Sequence, residues 1–164
     1  MKRLFSPWRM KYIQNTKNND EGCIFCDALK KNDDDANLVI VRGNASFVML
    51  NLFPYTSGHV MVAPFAHQAN LDELTPQSRA EMMELVAQCI VVLKKVYNPQ
   101  AFNVGANIGE AAGAGVPGHV HLHIVPRWAG DTNFMSTVGE VRVLPESIEQ
   151  TYQRVRAAWQ ELHP

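Results

Sequence analysis

Gly118-His119-Val120-His121-Leu122-His123-Ile124-Val125-Pro126 alternates imidazole with aliphatic side chains. In an extended chain successive side chains point to opposite faces, so His119, His121 and His123 project to one side. Val120, Leu122 and Ile124 project to the other, which is the core side. Histidines on one face then stand about 6.5–7 Å apart along the strand. Imidazoles gathered in this way cost stability unless something hydrogen-bonds or ligates them. Packing alone does not account for the pattern, which predicts a β-strand from His119 to Val125 with one buried face and one chemical face.

Outward from that strand, Leu38 to Arg42 and Ser46 to Leu50 are β-rich runs joined by Gly43-Asn44, a hairpin signal. Further strands are expected from His59 to Ala63 and from Ala101 to Ala106. Thr75-Pro76 is a helix start, a capping hydroxyl followed by proline at the first helical position. Met82, Val86, Cys89, Leu93 and Val96 then recur at helical spacing up to Asn98-Pro99. Ile148, Tyr152, Val155, Trp159 and Leu162 repeat the pattern in a C-terminal helix over 145–163. Strands grouped around one long helix, without regular βαβ alternation, predict an α+β fold with a mainly antiparallel sheet.

The chain has 164 residues, enough for one core, so 1–164 reads as a single domain with an N-terminal arm over 1–20. Asp33-Asp34-Asp35 reads as a solvated loop. The formal net charge of −1 gives no broad basic face for nucleic acid. No apolar run approaches the roughly 20 residues that span a bilayer, so no membrane partner is expected. The N-terminus turns charged and aromatic too early for a secretory signal, which predicts a cytoplasmic, reduced location. The cysteines agree: Cys23 and Cys26 are spaced for metal, and Cys89 sits in the apolar stripe of the long helix.

Two chemistries suit the histidine face. One is a metal site of the kind histidine-x-histidine pairs often build. The other is covalent catalysis, in which an uncharged ring nitrogen attacks phosphorus and forms a phosphoramidate. The preceding segment favours the second. Residues 105–115, including Asn107, Gly113 and Gly115, are small and flexible and could bring backbone N–H groups close to phosphate oxygens. Gly113, Gly115 and Gly118 also match the spacing of a dinucleotide-binding fingerprint. That fingerprint needs a helix after it, and here a histidine strand follows.

The segment His119 through Val125 resembles the signature of the histidine-triad superfamily, His-φ-His-φ-His-φ-φ with φ apolar, at every position. The likeness extends from Cys23-Ile24-Phe25-Cys26 through Asn51…Gly58-His59-Val60-Met61-Val62 to Pro126-Arg127-Trp128. Gly130-Asp131-Thr132-Asn133-Phe134-Met135 resembles the branch of dinucleoside polyphosphate hydrolases and small diadenosine tetraphosphate phosphorylases. Galactose-1-phosphate uridylyltransferases carry glutamine where this chain has His123, which counts against that activity. The resemblance implies that His121 is the nucleophile taking the α-phosphoryl group with its nucleoside. It also implies that His123 and His59 line the phosphate pocket, that His119 is among the nucleotide-binding residues and that Asn51 meets the ribose hydroxyls. A backbone carbonyl, that of His119, is expected to fix the attacking tautomer. A second imidazole, if protonated, can offset phosphoryl charge or donate to the leaving group. Where the family often has Gln or Ser before the triad, this chain offers Ala114, Gly115 and Val116, so backbone donors of the glycine loop are the expected substitute. Arg127 is explained equally well by an exposed ion pair.

Cys23-x-x-Cys26 supplies half of a tetrahedral site. Resemblance to several bacterial relatives implies that His67 and His119 complete a closed, structural zinc site. Two reduced buried cysteines and a surface His67 are the alternative. Substrate could arrive as a magnesium complex. The leading reading is a nucleotide hydrolase or nucleotidyltransferase that cleaves dinucleoside polyphosphates, with water or phosphate as acceptor. The alternatives are a nucleoside phosphoramidase, a nucleotide-binding module without turnover, and a zinc-dependent hydrolase with an open metal site. Many relatives are two-fold dimers with a shared sheet, so a homodimer is expected.

Overall fold

The computed structural model describes residues 22–31, 33–132 and 145–164. The arm expected at 1–20, and Asn133-Phe134-Met135, lie outside the described residues. Strands β1 (Val39–Arg42) and β2 (Ser46–Leu50) form the hairpin that Gly43-Asn44 predicts. Gly43 N–H donates to the Ser46 carbonyl at 2.8 Å. The next two amides, of Asn44 and Ala45, donate to the Glu81 carboxylate at 2.7 and 2.6 Å, so the long helix holds the turn. Strands β3 (Val60–Pro64), β4 (Ala101–Gly105) and β5 (Leu122–Arg127) complete a five-stranded sheet in the order β1-β2-β3-β5-β4. Every neighbouring pair is antiparallel.

The ladder of β5 begins at Leu122, paired with Val62, and not at His119 as the alternation suggested. Two residues further the register would set Val120 opposite Pro64, which has no N–H to offer. Its carbonyl is taken instead by the His119 imidazole at 2.9 Å, and Val120 N–H turns to the Gln68 carbonyl at 2.7 Å. His119 and His121 thus stand on chain that continues the strand's course beyond its hydrogen-bonded ladder.

Helix α1 spans Ile24–Lys30, α2 spans Pro76–Tyr97 and α3 spans Ile148–Leu162. α2 starts as expected, with the Thr75 hydroxyl accepting from Ser78 N–H, and ends at Asn98 in the left-handed conformation. Ser147 and Gln150 form a reciprocal capping box, which places the first turn of α3 at Ile148. α2 and α3 cover one sheet face. Val48, Leu50, Val60, Val62, Val120, Leu122 and Ile124 meet Met82, Val86, Cys89 and Leu93 of α2 and Tyr152, Val155 and Trp159 of α3 there.

The opposite face corrects one expectation. It is not a bare chemical surface, because α1 lies on it. Phe25 and Ala28 pack with Val39, Phe47, Met49, Met61 and Ala63 in a second apolar cluster. His119 and His121 share that face with Phe25, whose ring centroid lies 4.9 Å from His119 and 4.8 Å from His121. His121 is consequently only 5% exposed. Among the described residues no helix is long and apolar enough to cross a membrane.

Candidate active site and metal centre

Where the chain enters the sheet from α1, the four residues expected to bind metal converge. The ligand atoms of Cys23, Cys26, His67 and His119 all lie within 4.8 Å of one another. Cys23 Sγ is 3.3 Å and Cys26 Sγ 3.7 Å from His119 Nδ1, and Cys26 Sγ is 3.4 Å from His67 Nδ1. Tetrahedral zinc with Zn–S of about 2.3 Å and Zn–N of about 2.0–2.1 Å sets ligand atoms roughly 3.3–3.8 Å apart. These residues therefore fit a closed metal ion. His119 donates its Nε2–H to the Pro64 carbonyl at 2.9 Å, which leaves Nδ1 with its lone pair turned to the sulfurs. Burial, first among several causes, holds its pKa below the usual histidine range and keeps that lone pair available. Burial and the neighbouring Cys23 push the Cys26 thiol up, a penalty that a divalent cation between the two sulfurs would reverse.

Along the chain, His121 turns its Nδ1 to the His119 carbonyl at 2.9 Å. A carbonyl only accepts, so Nδ1 carries the proton and Nε2 carries the lone pair. Burial again lowers the pKa and outweighs the opposing hydrogen bond, so the ring is neutral. This is the tautomer that attack on phosphorus requires.

Next along the strand, His123 is fixed by a chain of donors that begins in the backbone. Tyr55 N–H donates to His59 Nδ1 at 3.1 Å, and the Asn51 amide nitrogen also lies 3.3 Å from that atom. His59 Nδ1 is therefore an acceptor and Nε2 holds the proton, which it donates to His123 Nδ1 at 3.0 Å. His123 in turn carries its proton on Nε2. Adjacent rings thus present opposite functions: a lone pair from His121 and an N–H from His123, with ring centroids 4.8 Å apart. The second imidazole serves as a neutral donor. His123 is pushed down to about 4, by burial first and by His121 second, and His59 is occupied by the Tyr55 N–H.

Asn51 closes the turn after β2 as well as facing the site. Its Oδ1 accepts from Phe53 N–H at 2.9 Å, which fixes the orientation of the amide and aims Nδ2 at His59. His59 is fully buried, so it combines a satisfied core position with a contact to the triad. The glycine loop departs from expectation. Asn107 Nδ2 donates to the Gly113 carbonyl at 3.1 Å, and Gly113 N–H donates to the Glu110 carbonyl at 2.9 Å. These bonds hold the loop, with Gly113 at φ +84° after a single 3-10 turn over Glu110–Ala112. Among the described residues Gly115 N–H makes no hydrogen bond, so it is one of the loop donors open to phosphate. Arg127 pairs with Asp131 at 2.6 and 2.9 Å and with Asn103 at 2.6 Å, the ion pair its position allowed.

Three contributors were not visible beforehand: Phe25 against the triad, the Tyr55 amide that sets the proton chain, and the Pro64 carbonyl. Of these only Phe25 left a signal, since it lies between the two cysteines.

Comparison with known proteins agrees with this geometry. The HIT domain family model matches residues 32–130, well over half the chain. The chain belongs to the HIT family. Within that family it is 35% identical over 165 residues to the AP-4-A phosphorylase of Mycobacterium tuberculosis, a match spanning 97% of this chain and 85% of the relative. It is 38% identical over 93 residues to the asymmetrical bis(5'-nucleosyl)-tetraphosphatase of Schizosaccharomyces pombe, spanning 57% of this chain and 50% of that one. Its fold superposes with a TM-score of 0.69 on a zinc-bound histidine triad family protein from Mycobacterium smegmatis. That pair is 26% identical and covers 86% of this chain and 95% of the other. The HIT match contains Asn51, His59 and the triad, while Cys23 and Cys26 precede it.

Proposed function

We propose that this HIT protein cleaves dinucleoside polyphosphates such as diadenosine tetra- or triphosphate through a nucleotidyl-His121 intermediate. The observation that carries the reading is the 2.9 Å contact from His121 Nδ1 to the His119 carbonyl, which leaves a neutral nucleophilic Nε2 beside the N–H of His123. The similarity to an AP-4-A phosphorylase along nearly the whole chain supports the substrate class.

In the first step the His121 Nε2 lone pair attacks the α-phosphorus. An N–P bond forms, and the P–O bond to the leaving polyphosphate breaks with its electron pair on oxygen. His123 Nε2–H donates a hydrogen bond to the developing charge, and the His119 carbonyl offsets the positive charge gained by the His121 ring. In the second step phosphate, or water that gives up a proton to the solvent, attacks phosphorus, the N–P bond breaks and the lone pair returns to His121. His59 keeps its proton between the two steps and holds the tautomer of His123. Gly115 N–H and the Asn51 amide are the contacts assigned to phosphate and ribose, while Asn107 and Gly113 shape the loop that presents Gly115.

Cys23, Cys26, His67 and His119 would hold zinc as a structural cross-link between α1 and the triad strand, and a magnesium ion would accompany the polyphosphate. The whole of 1–164 is assigned to one domain in a reducing cytoplasm, which suits its free cysteines. A homodimer is supported by β4, an edge strand exposed along most of its length, with Val104 44% and the following Ile108 40% exposed.

A product assay with diadenosine tetraphosphate, with and without inorganic phosphate, tests the reading. Phosphate-dependent release of ADP identifies phosphorolysis, and AMP release without phosphate identifies hydrolysis. His121→Ala should lower kcat by at least about a thousandfold. Turnover by that variant at the wild-type rate would refute the assignment.

A further inference from the structure

The Phe25 ring packs against both His119 of the metal cluster and His121 of the triad. It is fully buried, and its neighbour Cys26 on α1 is a cluster residue. α1 is a seven-residue helix without a side-chain N-cap, too short to hold itself in place. What ties it down is Cys23 and Cys26 at one end and Phe25 and Ala28 in the apolar cluster beneath. The Phe25 ring lies against both His119 and His121, inclined at 43° and 41° to them, and meets Phe47 edge-on at 6.3 Å.

The two imidazoles it touches are linked in another way. His119 contributes its side chain to the metal cluster and its carbonyl to His121 Nδ1. The His121 ring therefore has one hydrogen bond to stop it rotating about its last side-chain torsion and two ring neighbours, Phe25 and His123, to fix its plane. That torsion is intrinsically soft, with broad wells. A carbonyl acceptor alone permits a range of ring planes, whereas a packed ring at 4.8 Å removes most of it.

We infer that Phe25 is a positioning residue for His121, held in place by metal capture at Cys23, Cys26, His67 and His119. The metal cluster then does more than secure the N-terminal segment: it sets the angle at which the reactive ring nitrogen is presented. This rests on His121 being the nucleophile, and the effect belongs in kcat. Phe25 is fully buried, and the candidate-site rings it meets are the imidazoles of His119 and His121, so substrate affinity should barely respond.

The test compares wild type, Phe25→Leu and Phe25→Ala as full-length protein loaded with cobalt, whose absorption reports the tetrahedral site independently of turnover. Steady-state kinetics with diadenosine tetraphosphate are combined with nitrogen-15 spectra of the histidine rings at one fixed pH. Phe25→Leu keeps most of the volume, so it covers the case in which Phe25→Ala fails to fold. Phe25→Leu should retain cobalt absorption and KM within about threefold, lower kcat about tenfold to a hundredfold, and broaden or split the His121 resonance. Phe25→Tyr should restore kcat more nearly than leucine does. Chelation of wild-type protein that remains folded by circular dichroism should reproduce the His121 change. An unchanged kcat and an unchanged His121 resonance in Phe25→Leu would overturn the inference, as would a chelated, folded protein whose His121 signal matches the loaded form. A failure of the nucleophile reading has a different signature: His121→Ala would then retain turnover, whatever the ring spectra of the Phe25 variants.

Discussion

His59 Nε2 and His123 Nδ1 lie 3.0 Å apart, and the proton between them belongs to His59 because the Tyr55 amide occupies its other nitrogen. A main-chain N–H after β2 thus decides which nitrogen of a triad histidine can donate. His59→Ala removes that relay and leaves His123 free to choose its tautomer. It should lower kcat about tenfold to a hundredfold with a smaller change in KM, as expected for an orienting partner. His59→Gln, whose amide can donate to His123, should recover part of the loss. Equal kcat in wild type and His59→Ala would remove the relay from the mechanism.

The same burial sets the pH response of stability. Burial pushes His123 down to about 4 in the folded chain from the ordinary histidine value of about 6.5, and His59, His121 and Tyr55 are the groups facing it. Between those values the unfolded chain binds more protons than the folded one, so stability rises with pH. The contribution is complete above pH 6.5 and is lost as pH falls towards 4, amounting to something on the order of 3 kcal/mol. Urea denaturation at a series of pH values should show this slope. His123→Gln should flatten it without abolishing it, because His121 is shifted in the same direction. An identical slope in that variant would place the proton uptake elsewhere.

Much of this was legible in the residues themselves. The hairpin follows from Gly43-Asn44, the start of α2 from Thr75-Pro76, and half of the metal cluster from Cys23-x-x-Cys26, while His67 and His119 came from the resemblance to bacterial relatives. α1 escaped because a seven-residue segment carries too little periodicity to declare itself, and its position depends on long-range contacts. For that reason the face bearing the histidines read as open when Phe25 and Ala28 cover it. Asn107 and Gly113 read as phosphate contacts because composition marks a flexible loop, whereas the internal hydrogen bonds that use up a particular amide depend on its closed conformation. The proton relay through Tyr55 was out of reach altogether, since every residue has a backbone N–H.

Gly58, immediately before His59, offers a test of how closely the long helix supports the site. It has φ +76°, and a Cβ there would come within 2.8 Å of the Tyr97 ring and 3.1 Å of Leu93. Gly130 has φ +83° with nothing within 4 Å of the same position. Gly130→Ala should cost about 1–3 kcal/mol for its backbone conformation alone. Gly58→Ala should cost more than that and also lower kcat, because relief of the clash displaces His59. Equal losses of stability in the two variants, measured by denaturant unfolding, would mean that the Tyr97 contact yields freely.

The central claim is that His121 Nε2 forms a bond to phosphorus during turnover. Protein quenched in acid-free denaturant within the first turnovers with diadenosine tetraphosphate, digested and analysed by mass spectrometry, should carry an adenylate on the peptide containing His121. The adduct should be absent from His121→Ala and should form more slowly when His123 is replaced by alanine. Turnover without any adduct, or an adduct on another residue, would contradict the account.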